Sequence, residues 1–290
     1  MIHRNLTYMF TFMLIFMGIN IFTSHCCAEI SNVAESSKTS VTISAEEISR
    51  LFHEANSMFA KADKLALSDP KKARSLYQKS ILRFDRIIKQ GDIENGKLYY
   101  NIGNIYFRTK NIGRAILNYR RAERYIENDI NLQKNLEFAR NTRKDQIEEK
   151  QETKILKTIF FWHYDLSSKT RLILFTIPFG LLWFFAAARL FIKKPFFKWM
   201  ISVTAVISLL FAGSLAVEYL TFKKSIAGVI ISQKVIARKG NSESYEKSFR
   251  EPLHAGTEFK ILEHRGRWFQ IELPDSRTCW LPTSDVEQVR

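Results

Sequence analysis

Residues 96–125 read GKLYYNIGNIYFRTKNIGRAILNYRRAERY. Tyr99, Ile102, Gly103 and Tyr106 recur at three- and four-residue steps, which puts them on one face of a helix. After a turn over Thr109–Gly113, Ala115, Tyr119 and Ala122 repeat that spacing. Gly103, Ala115 and Ala122 are small, so two helix axes can approach closely while the tyrosines fill the space around them. The other side of the first helix carries a second stripe: Lys97, Tyr100, Asn104, Phe107 and Arg108. The stretch predicts two packed helices, one face committed to packing and one face left over.

At these offsets the stretch resembles a tetratricopeptide repeat, a helix–turn–helix unit of about 34 residues. Tyr99 stands at the signature tryptophan, and Ile102, Gly103 and Tyr106 stand at its Leu, Gly and Tyr. Ala115, Tyr119 and Ala122 fall in register on the second helix. A fainter copy precedes it, FHEANSMF with Ala55 and ARSLYQKS with Ala73, Tyr77 and Ser80. A third helix starts near Asp129 and carries Leu132, Leu136 and Ala139. The polar NTRKDQIEEKQETK that follows reads as a solvated cap. The resemblance implies an all-α array over 45–150 whose leftover stripe lines a protein-binding groove. That stripe is Phe52, Asn56 and Phe59 in the first copy and Lys97, Tyr100, Asn104, Phe107 and Arg108 in the second. Asn56 and Asn104 would hold a peptide carboxylate, with Lys134 completing the clamp; otherwise they are polar residues tolerated on a wet face.

Two stretches carry no charge, LILFTIPFGLLWFFAAA from Leu172 and WMISVTAVISLLFAGSLAV from Trp199. Extended slightly, each approaches the ~20 residues that cross a bilayer. The expected architecture is a two-helix transmembrane hairpin, 171–192 and 199–222, joined by a short basic loop at 193–198 and preceded by a juxtamembrane segment at 151–170. Arg189 and Glu218 lie near span ends and read as snorkelling anchors. At the N-terminus an apolar run from Leu6 to Phe22 ends at SHCCAEI, as in a signal peptide, 1–28, cleaved after Ala28. An uncleaved anchor is the alternative, and a lipid on Cys26 or Cys27 would require His25 or Cys26 where a small residue belongs. A polar linker occupies 29–44. These readings put the soluble regions on the periplasmic side of a bacterial inner (cytoplasmic) membrane.

From 225 to 290 the texture changes to short alternating runs with turns, among them His264–Arg267, which predicts a small all-β unit. The order VIARK (235–239), LHAGT (253–257), GRW (266–268) and CWL (279–281) resembles a bacterial SH3-like domain. Cys279 takes the place of the family's glycine before Trp280. Trp268 and Trp280 form either an aromatic ligand face or part of the core. Removal of Cys26 and Cys27 would leave Cys279 without a disulfide partner, and no Cys/His spacing suggests a metal.

The chain has 290 residues and a formal charge of +15, which favours acidic partners or anionic lipid. The membrane segments turn that charge away from nucleic acid. No HExxH, GxSxG or complete P-loop occurs, so neither enzyme chemistry nor a cofactor is expected. The module order, with GKLYYNIGNIYFRTKNIGRAILNYRRAERY leading into NLQKNLEFAR, resembles BatE-type proteins of the aerotolerance (Bat) operon. That resemblance implies a non-enzymatic envelope scaffold working beside membrane proteins with von Willebrand A domains and a MoxR-type ATPase. The alternative is an adaptor whose SH3-like domain binds peptidoglycan while the helices recruit a wall enzyme.

Overall fold

The computed structural model describes residues 43–222 and 226–289. The expected signal segment at 1–28 and nearly all of the linker at 29–44 lie outside the described residues. Five helices come first: α1 (Ala45–Leu65), α2 (Pro70–Gly91), α3 (Gly96–Arg108), α4 (Ile112–Glu123) and α5 (Ile130–Thr142). Each starts where a short polar side chain takes over an unpaired backbone donor. Ser44 caps Glu47 N, Asp69 caps Lys72 N, Asn95 caps Lys97 N, Asn111 caps Arg114 N, and Asp129 caps both Asn131 N and Leu132 N. Pro70, the one proline in this region, occupies the first turn of α2, where its missing N–H costs nothing.

The helices pack as pairs, α1 on α2 and α3 on α4, with α5 closing against α4. The close approaches fall on the small residues. Ser80 on α2 is fully buried and donates to the Ala55 carbonyl of α1 at 2.8 Å. A Cβ at Gly103 of α3 would stand 2.6 Å from the Tyr119 ring of α4, so only hydrogen fits there. Ala115, Tyr119, Ala122, Leu132, Leu136 and Ala139 are all buried in one cluster, as their spacing predicts.

Beyond Thr142 the chain departs from the expected solvated cap. Residues 143–150 form neither helix nor strand and lie against the C-terminal β module. Asp145 accepts from the His254 backbone N–H at 2.6 Å and from Thr257 Oγ1 at 2.8 Å. Ile147 packs against the β core. The segment reads as polar, yet Arg143, Lys144 and Asp145 are spent on partners more than a hundred residues away.

Then come α6 (Gln151–Ile159), α7 (Phe161–Tyr164), α8 (Ser168–Phe191) and α9 (Pro195–Phe222). The last two form an antiparallel hairpin. Both are long and apolar enough to cross a membrane, and little of either is buried by protein, unlike a core helix. Their connection is shorter than the expected loop, because Pro195 starts α9 and Lys198 already lies in its first turn. Thr204, Ser208 and Ser214 of α9 are buried, and small residues of this kind let membrane helices approach. Glu218 is not a lone snorkelling anchor: it pairs with Arg171 of α8 at 2.9 Å, and Arg171 also donates to Ser214 Oγ at 3.0 Å.

The β module is a five-stranded antiparallel sheet in the order β6–β5–β4–β1–β7. Its strands are β1 (Ile226–Ile230), β4 (Glu258–Arg265), β5 (Trp268–Glu272), β6 (Thr278–Pro282) and β7 (Val286–Gln288). A short ribbon pairs β2 (Lys234–Val235) with β3 (Leu253–His254). Arg265 pairs with Trp268 across the expected turn. Cys279 is buried in the core, and that burial pushes its thiol up to about 12, so it is a packing residue and a poor nucleophile.

The chain leaves this soluble body after 150 and re-enters it at 226, so the apolar hairpin is an insertion between halves that pack together. Replacing Gly103 with alanine is expected to destabilise the full chain in detergent by about 1–3 kcal/mol, read as a fall in unfolding temperature. Gly180→Ala, with open space around its Cα, is the control and leaves that temperature unlowered.

Candidate partner-binding face

Hydrogen bonds run across α1, α3 and α5 and mark these helices as one face of the array, with α2 and α4 behind. Asn101 Nδ2 donates to Asn56 Oδ1 at 3.4 Å, linking α3 to α1. Asn135 Nδ2 donates to Asn104 Oδ1 and to the Tyr100 hydroxyl, each at 3.0 Å, linking α5 to α3. The Tyr119 hydroxyl, reaching from α4, donates to the same Asn104 oxygen at 2.8 Å. Burial raises the Tyr119 hydroxyl well above its ordinary range, so it stays protonated and remains a donor.

The asparagines expected to act alike therefore differ. Asn56 donates to its own helix at the Phe52 carbonyl (3.0 Å), and its oxygen is taken by Asn101. Asn104 commits its oxygen twice, while its Nδ2 has no partner among the described residues. Phe52 sits edge-on to Phe84, and Phe59 packs against Tyr77, so both are partly drawn into the α1–α2 core. Phe107 meets Phe138 of α5 edge to face at 5.6 Å, and Phe138 is 62% exposed. Lys97 and Lys134 are exposed on α3 and α5, and Arg108 faces Asp63 at 3.5 Å. What the structure adds to the stripe is Asn101, Asn135 and Phe138. The spacing on α5 already contained Phe138 three residues after Asn135 and four after Lys134, on the same side as each.

The face ends in bare aromatic edge, one unspent amide donor and flanking cations. Such a surface suits an extended or helical segment that brings a carboxylate and an apolar side chain. Elsewhere, GDIENGK at 91–97 has the glycines and lysine of a phosphate loop, but Leu98 replaces the hydroxyl residue. It also joins two helices, α2 and α3, where a phosphate loop follows a strand. Among the described residues no group of three or more His, Cys, Asp or Glu is placed to hold a metal. Trp268 and Trp280 part company: Trp268 is half-buried, whereas Trp280 is only 8% exposed. The backbone of Arg238 pairs with Trp280, and the Arg265 guanidinium lies 5.6 Å from its ring centre.

The face is held in place by the β module. Glu258 at the start of β4 meets three arginines of the array. Arg140 grips both oxygens at 2.7 and 2.8 Å, and Arg120 and Arg143 each approach to 3.2 Å. Burial alone would raise the Glu258 carboxyl, but the hydrogen bonds and charges of these arginines outweigh it and hold it below its ordinary value. Arg121 adds a 2.9 Å pair to Glu287 of β7. A Cβ at Gly113, at the start of α4, would lie 2.6 Å from the Ile230 carbonyl oxygen, so this glycine lets β1 come close. Exposed pairs such as Lys239–Glu246 contribute little, because water screens them. The clustered, half-shielded Glu258 is the pair whose loss leaves several charges stranded.

Comparison of the chain with protein-family models, with curated proteins and with solved structures finds no match.

Glu258→Gln is expected to lower the stability of the full chain by about 3 kcal/mol at neutral pH. Because folded Glu258 titrates below its unfolded value of about 4.3, its contribution is complete above that range. It is lost as pH falls through the depressed folded value. Unfolding midpoints of the parent chain and the variant should therefore converge in acid; a gap that persists there contradicts the assignment.

Proposed function

We propose that this chain is a non-enzymatic, membrane-anchored scaffold that offers the α1–α3–α5 face to a partner protein. In this reading the helices are a short tetratricopeptide array, and the SH3-like module serves as its rigid end support. The observation that carries the proposal is the contrast between the two soluble parts. Trp280 is covered and Glu258 and Glu287 of the β module are tied to arginines of the array, while Phe138 stands open beside Lys134. The array thus keeps exposed aromatic surface of the kind that binds, while the β module turns Glu258 and Glu287 to docking.

The two apolar helices supply the anchor, and the resemblance to BatE-type proteins supplies the setting. In this reading a signal segment and two crossings leave the body on the periplasmic side of a bacterial inner membrane, and the resemblance puts von Willebrand A-domain membrane proteins and a MoxR-type ATPase beside it. Since Asn104 is tied to Tyr119 and Asn135, removing it would disturb packing as well as binding. Phe138 and Lys134 are exposed, so they test the face more cleanly.

The full chain, extracted in mild detergent, is expected to co-purify with von Willebrand A-domain membrane proteins. Phe138→Ser combined with Lys134→Glu should reduce that recovery by about 2 kcal/mol, or roughly thirtyfold in affinity, with unfolding temperature unchanged. Undiminished recovery by the double variant would refute this use of the face.

A further inference from the structure

Between the soluble body and the hairpin lies a segment, Gln151–Tyr164, that none of the foregoing uses. Its α6 and α7 expose Ile155, Leu156, Ile159, Phe160, Phe161 and Tyr164, each 43–55% accessible. On α6, Ile155, Leu156 and Ile159 fall within about a quarter of the helix circumference, with Lys157 on the opposite side. Lys157 points back to the body, where it pairs with Glu149 at 2.6 Å. Among the described residues nothing covers the exposed part of the apolar side.

The position of this segment is fixed by contacts to both apolar helices. His163 Nδ1 lies 2.8 Å from Ser214 Oγ of α9 and 3.1 Å from the Arg171 guanidinium of α8. Ser168 Oγ donates to Glu218 at 2.6 Å. These polar groups gather where the uncharged stretch of α8 begins, at Leu172, and where that of α9 ends, before Glu218. A level at which charged groups give way to uninterrupted apolar surface is the boundary of a bilayer, where tryptophan and tyrosine also concentrate. Phe160, Phe161 and Trp162 form an aromatic cluster there, with ring centres 5.4–5.6 Å apart.

We infer that Gln151–Tyr164 is an interfacial anchor, lying along a lipid surface with its Ile155–Ile159 side and aromatic cluster at the headgroup–acyl boundary. The inference rests on the reading that α8 and α9 cross a membrane. Its partner is lipid and not protein, because His163 ties the segment to α8 and α9 at the level where their uncharged surface begins. A short amphipathic stretch with aromatic residues and a cation on the far side has the build of a segment that lies in the interface plane. It would hold the soluble body at a set height and tilt, which two flexible tethers would not.

The test uses the full chain in nanodiscs of phosphatidylethanolamine and phosphatidylglycerol. The photo-crosslinking residue p-benzoyl-phenylalanine is placed in turn at Ile155, Ile159, Lys157 and, inside α9, Leu209. After illumination, mass spectrometry is expected to find lipid adducts at Ile155 and Ile159 about tenfold above those at Lys157, approaching the yield at Leu209. Equal yields at Ile155, Ile159 and Lys157, or protein adducts in place of lipid at the two isoleucines, would overturn the inference while leaving the spans intact. Absence of lipid adducts at Leu209 would overturn the spanning helices and, with them, this anchor.

Discussion

The arrangement depends on one carboxylate. Glu258 gathers Arg120, Arg140 and Arg143 from the end of α4, the end of α5 and the segment after it. Those residues tie the ends of two packed helices and the segment after them to the β module. Without the carboxylate, three guanidinium groups would crowd one surface, with only Glu123 beside Arg120 to offset them. With it, repulsion becomes a junction, and the short steps at Gly113 and Asp145 close around it. Burying such a charge is costly, and the cost is met here by a bidentate partner and two further cations.

The junction decides what the rest of the surface is for. Because the β module packs on the ends of α4 and α5, the hydrogen-bonded row through Asn56, Asn101, Asn104 and Asn135 stays on the other side. The row also limits its own flexibility: each amide is held by a neighbour on the next helix, so the exposed Phe138 and the free Asn104 donor are presented by a stiff surface. Preorganisation of that kind lowers the entropy lost on binding. The Arg171–Glu218 pair acts similarly for the hairpin, fixing which sides of α8 and α9 meet.

Much of the helical architecture is legible in the sequence because it is local. Gly103 against Tyr119 and Ser80 against Ala55 are contacts between neighbouring helices, and small residues at regular intervals announce them. The uncharged stretches and the strand-like texture of the C-terminus are equally readable. The junction is not. Arg140 and Glu258 are 118 residues apart, and arginines on a polar segment look the same whether they face water or a distant carboxylate. Gly113 likewise reads as a turn residue, since nothing local says that a strand will pass beside it. The binding stripe is legible in outline, but the different states of Asn56 and Asn104 depend on Asn101 and Asn135, whose side chains are placed only by packing of successive helices.

The insertion of the hairpin between two halves of one body has a consequence for biogenesis. The arginines are made first, and their carboxylate follows only after both apolar helices have been synthesised. On the reading that both helices cross a membrane, a chain in which one of them failed to insert would leave Glu258 and its arginines on opposite sides of the lipid, where they can never meet. The body would then remain open at its most highly charged seam, accessible to proteases. On that reading, completion of a single ion cluster reports that an even number of crossings has been made, and the fold carries its own check on topology.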